Sequence, residues 1–147
     1  MTSFHLAQLN IAKMKFKIDA PEMVEFVDNL ESINALAEAS PGFIWRLQSE
    51  QGDATDIDFF GADILVNMSI WQDHESLHNY VYASAHTQIM SRRKIWFDRI
   101  EEAYSVLWWV GPGHIPSLAE SQEKLELLKK NGASVEAFTL KTHFPTP

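Results

Sequence analysis

Cysteine is absent from the 147 residues of the chain. That absence excludes disulfides, thiolate nucleophiles and zinc–thiolate sites together. Positive charge is scarce: 12 Lys and Arg stand against 20 Asp and Glu, a formal net charge of −8 at pH 7. A phosphate backbone or an anionic membrane demands a basic surface, so neither nucleic acid nor membrane is an expected partner. Long apolar runs are missing as well. The longest, Val106 to Val110, falls far short of the ~20 residues of a membrane span. The N-terminal MTSFHLAQLNIAKMK has no continuous apolar stretch behind a basic start. These features predict a soluble, cytoplasmic protein. A nucleophile elbow, a phosphate-binding loop and a Rossmann glycine pattern are also missing, and the enzyme classes they mark go with them.

What is present is a globular composition, 46% hydrophobic and 22% charged, with five Trp. At this length it supports one hydrophobic core, hence a single domain over residues 1–147. FHLAQLNIA (residues 4–12) reads as a strand with Gln8 and Asn10 at alternate positions on one side. Pro21 suits a first helical turn, and Val24, Val27, Leu30, Ile33, Leu36 and Ala37 recur at helical spacing up to Pro41-Gly42. GFIWRLQSE (42–50) alternates Phe43, Trp45 and Leu47 against Ile44, Arg46 and Gln48, a second strand, and the polar QGDATDIDFFGAD after it is a loop. ILVNMSIW (64–71) is a third strand, and Asp73 is placed to cap a helix through Tyr82. Ser84 is placed to cap another that carries Ile89, Met90, Ile95, Trp96 and Phe97. AYSVLWWVG (103–111) is a fourth strand. Ser117 and Glu120 have capping-box spacing ahead of Leu118, Leu125 and Leu128, with Asn131-Gly132 as the stop. AFTLKTHF (137–144) alternates as a last short strand.

The resulting order, β-α-β-β-α-β with an extra helix and strand, is an α+β, ferredoxin-like arrangement in which helices cover one face of the sheet. The third strand raises the functional question. Its even-numbered positions, Ile64, Val66, Met68 and Ile70, are uniformly apolar, whereas Leu65, Asn67, Ser69 and Trp71 mix an amide, a hydroxyl and an indole. The first and third strands are central neighbours in this fold, so Gln8, Asn10, Asn67, Ser69 and Trp71 are expected to share a face with either Trp108 or Trp109. That face is expected to be the one without helices. Left in water it would expose a large aromatic patch, which predicts a second subunit as its cover and a homodimeric α+β barrel. An apolar interior with a few convergent polar groups is how small-molecule pockets are lined.

The stretches FHLAQLNIA, INALAEASPGFIWRLQ, ILVNMSIW, YASAH and VLWWVGPGHIPSLAE resemble an uncharacterised bacterial family, a domain of unknown function of about this length. That family is similar to the antibiotic-biosynthesis monooxygenase superfamily of dimeric α+β barrels. The resemblance implies a cofactor-independent monooxygenase acting on a small aromatic or polyphenolic compound, with Asn67, Trp71 and Asn10 at the positions that bind the substrate and stabilise its anion. The chemistry is coherent without metal or flavin: a phenolate passes an electron to O₂ unaided, amide N–H groups stabilise the anion, and an indole stacks on the ring. Haem-degrading relatives use a helical His as iron ligand about three turns beyond the Trp. Here that stretch holds Asn79, Tyr80, Val81 and Tyr82, so no haem is expected; only a shifted helix would bring His78 or His86 to that place.

His86 lies in a helical first turn, where it suits a general base at the cavity mouth. Arg46, on a strand, is expected either to pair with an acid across the dimer or to anchor a carboxylate or phenolate. His74 and His78 are four apart on one helix but lack a third ligand, so no metal is expected. Gln8, Ser69 and Trp109 complete the expected substrate-binding set. Two other classes compete with the enzyme: a binding module without turnover, and a structural barrel whose face is filled by its own side chains.

Overall fold

The computed structural model of the chain describes residues 4–48, 59–61, 63–82, 92–98 and 104–147. Strand β1 (His5–Met14) runs through the centre of a five-stranded antiparallel sheet. On one side it pairs with β3 (Ile64–Trp71), from Leu6 opposite Trp71 to Lys13 opposite Ile64. The far edge of β3 takes β2 (Phe43–Arg46). On its other side β1 pairs with β5 (Ser105–Val110) and then, at Lys13 and Met14, with the two-residue β4 (Phe97–Asp98). This order is the ferredoxin-like arrangement that the sequence predicts.

Local chemistry sets the helices. A 3₁₀ turn at Pro21–Met23 leads into α1 (Val24–Ala39), as the fixed φ of Pro21 favours. The Asp73 carboxylate accepts from the Ser76 backbone N–H and starts α2 (His74–Val81). A short α3 (Arg93–Trp96) follows, and Phe97, expected to extend a helix, instead pairs with Met14 in β4. Ser117 Oγ accepts from the Glu120 N–H to start α4 (Leu118–Asn131), and Gly132 ends it at φ 73°. The expected last strand contracts to isolated bridges, Leu107 with Phe138 and Ser134 with Ala137. Beyond them Leu140 and Phe144 contribute side chains to the core rather than a ladder.

Gly42 joins α1 to β2 at φ +84°, and a Cβ there would lie 2.1 Å from Ser76 Oγ in the first turn of α2. Gly42→Ala combines a disfavoured backbone with a direct overlap and is expected to cost roughly 1–3 kcal/mol, measurable by urea denaturation.

The two faces of the sheet are covered differently from the sequence expectation. Ala7, Leu9 and Ile11 join Val66, Met68, Ile70, Val106 and Trp108 in one core with Leu125 and Leu128 of α4, all buried within a single chain. The uniformly apolar side of β3 therefore meets the C-terminal helix. The mixed side meets α1 and α2: Leu6 and Trp71 share a core with Ala37 and Leu77, and Leu65 packs beside Met23, Phe26 and Leu30. Gln8, Asn10, Asn67 and Ser69 alternate in step with these residues, so they lie on the side of the sheet that carries α1 and α2. The alternation in β3 was legible; the direction of its two faces was not. A second subunit is consequently not needed to cover the apolar face.

Candidate functional site

On the helix-facing side, strand register brings four polar residues into a square: Gln8 opposite Ser69, and Asn10 opposite Asn67. Leu6 and Trp71 close one end and Ala12 and Leu65 the other. Directly opposed residues of an antiparallel pair hold their Cβ atoms about 4.5–5.5 Å apart, so the four side chains are within mutual reach.

The square is bonded in sequence. Trp71 Nε1 donates to Ser69 Oγ at 2.8 Å. Gln8 Nε2 donates to the same Ser69 Oγ at 2.8 Å and to Asn67 Oδ1 at 2.5 Å. Gln8 and Ser69 are buried, whereas Asn67 is exposed. Two accepted hydrogen bonds fill the lone pairs of Ser69. Asn10 is the exception: its Oδ1 is buried without a hydrogen-bond partner. A buried carbonyl oxygen left unpaired costs free energy that most native structures avoid. It marks a place where a donor is missing.

Trp71 is fully buried. Tyr80 of α2 stacks on it, with centroids 5.0 Å apart at 24°, and Phe43 meets it edge-on at 5.5 Å. Tyr80 was not singled out from the sequence, although Leu77, Tyr80 and Val81 form the apolar stripe of α2 that pointed to it. A β-bulge between Phe43 and Trp45 changes the alternation of β2. Phe43 and Arg46 thereby share the helix-facing side while Trp45 joins the other core, and Arg46 comes to lie opposite Ser69. The Arg46 side chain is only 14% exposed, and its Nε donates to Glu38 Oε1 of α1 at 2.9 Å. The acid expected across a dimer is thus supplied by the same chain.

A family model described as a domain of unknown function, DUF3291, matches residues 5–147. The chain belongs to the DUF3291 family. No curated protein matches it in sequence. Among solved structures, this DUF3291 chain is similar to a conserved protein from Methanosarcina mazei Go1, at TM-score 0.52 and 16% identity, over 73% of this chain and 91% of that one. It is similar to the NE2512 protein of unknown function from Nitrosomonas europaea, at TM-score 0.50 and 14% identity, over 78% and 96%. These two are likenesses of fold alone. SnoaB, a cofactor-independent oxygenase from Streptomyces nogalater, follows at TM-score 0.47 and 14% identity, over 80% of this chain and 100% of that one.

Other expected residues of the DUF3291 chain are distributed differently. Trp109 lies on the same face, opposite Leu6, but its Nε1 donates to the Phe144 carbonyl at 3.1 Å and its ring packs toward Phe138. It is held by the C-terminal segment and does not join the polar square. His86 lies outside the described residues. His74 and His78 gain no third ligand: among the described residues no group of three His, Cys, Asp or Glu is placed to hold a metal. His74 Nε2 instead lies 3.0 Å from the Leu140 carbonyl, and its ring stacks on His143. Among the described residues no helix is long and apolar enough to cross a membrane.

Burial pushes the Tyr80 phenol up to about 12, against the opposing influence of the Arg46 charge. The fold prefers the neutral phenol. Its contribution to stability is therefore complete below the unfolded value of about 10 and is lost as pH rises from about 10 to about 12. A shift of this size corresponds to about 2–3 kcal/mol. Tyr80→Phe, with nothing to ionise, is expected to show a smaller fall in urea stability across that window than the wild type.

Proposed function

We propose that the protein binds a small phenolic compound against Asn10 and Asn67, on the helix-facing side of the sheet, and oxidises it with O₂ without a cofactor. The observation that carries this reading is the buried Asn10 Oδ1 with no partner, set directly opposite an exposed Asn67. A structural seam would satisfy that oxygen internally; a site for a hydroxylated ligand leaves it for the ligand. Asn67 donates to the developing phenolate, where a preorganised amide is worth most. Gln8 holds Asn67 and is itself anchored on Ser69, and Trp71 backs the cluster through Ser69. Arg46 and Glu38 border it with a paired charge, and Trp109 stands outside it. His86 is the proposed base that removes the phenolic proton.

The balance is simple. The phenolate gives one electron to O₂, the radical and superoxide combine at a ring carbon, and loss of water from the peroxide leaves a quinone. One oxygen atom enters the ring, the other leaves as water, and all four electrons come from the substrate. A homodimer belongs to the same proposal, tested by sedimentation for twice the chain mass. The functional test is O₂ uptake by chelator-treated protein with 1-naphthol and with dihydroxynaphthalenes. Substrate-dependent uptake with stoichiometric quinone supports the proposal. Ligand-dependent thermal stabilisation without uptake would establish a binding module instead.

A further inference from the structure

We infer that Gln8 is a positioning residue that sets the hydrogen-bonding polarity of this site, so that it selects the monoanion of an aromatic vicinal diol. The inference rests on the reading of this face as a ligand site. An indole N–H only donates, and that of Trp71 is directed at Ser69 Oγ. Gln8 Nε2 supplies the second donor to that oxygen and directs its other N–H to Asn67 Oδ1. With its carbonyl engaged, Asn67 turns its amide NH₂ outward. Opposite it, Asn10 offers the reverse, a bare acceptor. One donor beside one acceptor fits two neighbouring oxygens of which one keeps its proton and one does not. A neutral diol would accept from the Asn67 N–H groups only through a hydroxyl oxygen, a weaker bond than the charge-assisted one to a phenolate oxygen. A dianion would set an O⁻ against Asn10 Oδ1. The monoanion alone gives Asn10 a proton and Asn67 a charged oxygen.

The test uses 4-nitrocatechol, whose protonation states differ in visible absorbance, bound to the full chain and titrated with pH. The wild type is expected to lower the first ionisation of the bound probe by about one pH unit or more, a tenfold preference for the monoanion. In Gln8→Glu the carboxylate has no proton to donate, so the Asn67 NH₂ turns inward and its carbonyl faces the ligand. The bound probe is then expected to ionise above the free one. Gln8→Met removes the donor without adding charge and is expected to bring the shift close to zero, which separates polarity from simple charge repulsion and carries the test if Gln8→Glu does not fold. A wild-type probe that ionises at or above the free value would overturn the inference, as would a full downward shift retained in folded Gln8→Met. Failure of the wild type to bind the probe in any protonation state, measured by calorimetry, would overturn the site reading itself and the inference with it.

Discussion

Trp71→Ala is expected to lower the stability of the fold by about 3–5 kcal/mol, a fall in melting temperature of roughly 10 °C or more for a chain of this size. The indole is fully buried, so its removal leaves a large void between β3 and α2. Its stacking on Tyr80 and edge contact with Phe43 are lost together, and such aromatic pairs contribute about 0.5–1.5 kcal/mol each beyond burial. Ser69 Oγ keeps its bond from Gln8, so the polar square loses one outside donor and none of its own four members. Trp71→Phe retains most of the volume and is expected to cost much less. Chemical denaturation of the three proteins decides the point: a loss below about 1 kcal/mol for the alanine variant would mean that α2 does not depend on this ring.

Asn67→Ala is expected to separate stability from function. Asn67 is exposed, and its one described bond comes from Gln8 Nε2, which retains Ser69 as a partner. Removing the amide frees one N–H of Gln8 at the spot where Asn67 met solvent, within reach of water, so the stability cost is expected to stay below about 1 kcal/mol. Turnover of a phenolic substrate is expected to fall by about 10²–10³, the usual effect of deleting one donor to a developing oxyanion. Equal losses in kcat and kcat/KM would place the interaction in the transition state. A drop in stability of about 2–3 kcal/mol would instead identify a hydrogen-bonded structural seam.

The candidate site was legible as a set of residues because its members lie on strands. Period-two alternation links Asn67, Ser69 and Trp71, and the same rule links Gln8 and Asn10. Their order of bonding was not legible, since it depends on the register between β1 and β3, strands separated by 49 residues of intervening chain from 15 to 63. Tyr80 escaped notice because a helix stripe announces burial but not its partner. Arg46 was noticed without its acid, because Glu38 reaches it through the packing of α1 on β2.

By itself the sequence determined the order of the main elements, β4 and the expected last strand excepted: helices begin where Asp73 and Ser117 offer capping oxygens, and strands alternate where half-buried sheets require it. It also determined, through the absence of cysteine, that disulfides and thiolate chemistry are closed to these residues. Only the tertiary structure decided which way the sheet faces. Alternation defines two sides of a strand but is symmetric between them, and in β3 both sides carry buried residues. The choice came from distant segments: α4 spreads its leucines over the apolar side, leaving the amides and Trp71 to α1 and α2. The bulge in β2 was decided the same way, because one extra residue costs little locally and is fixed by the partner strand it must match.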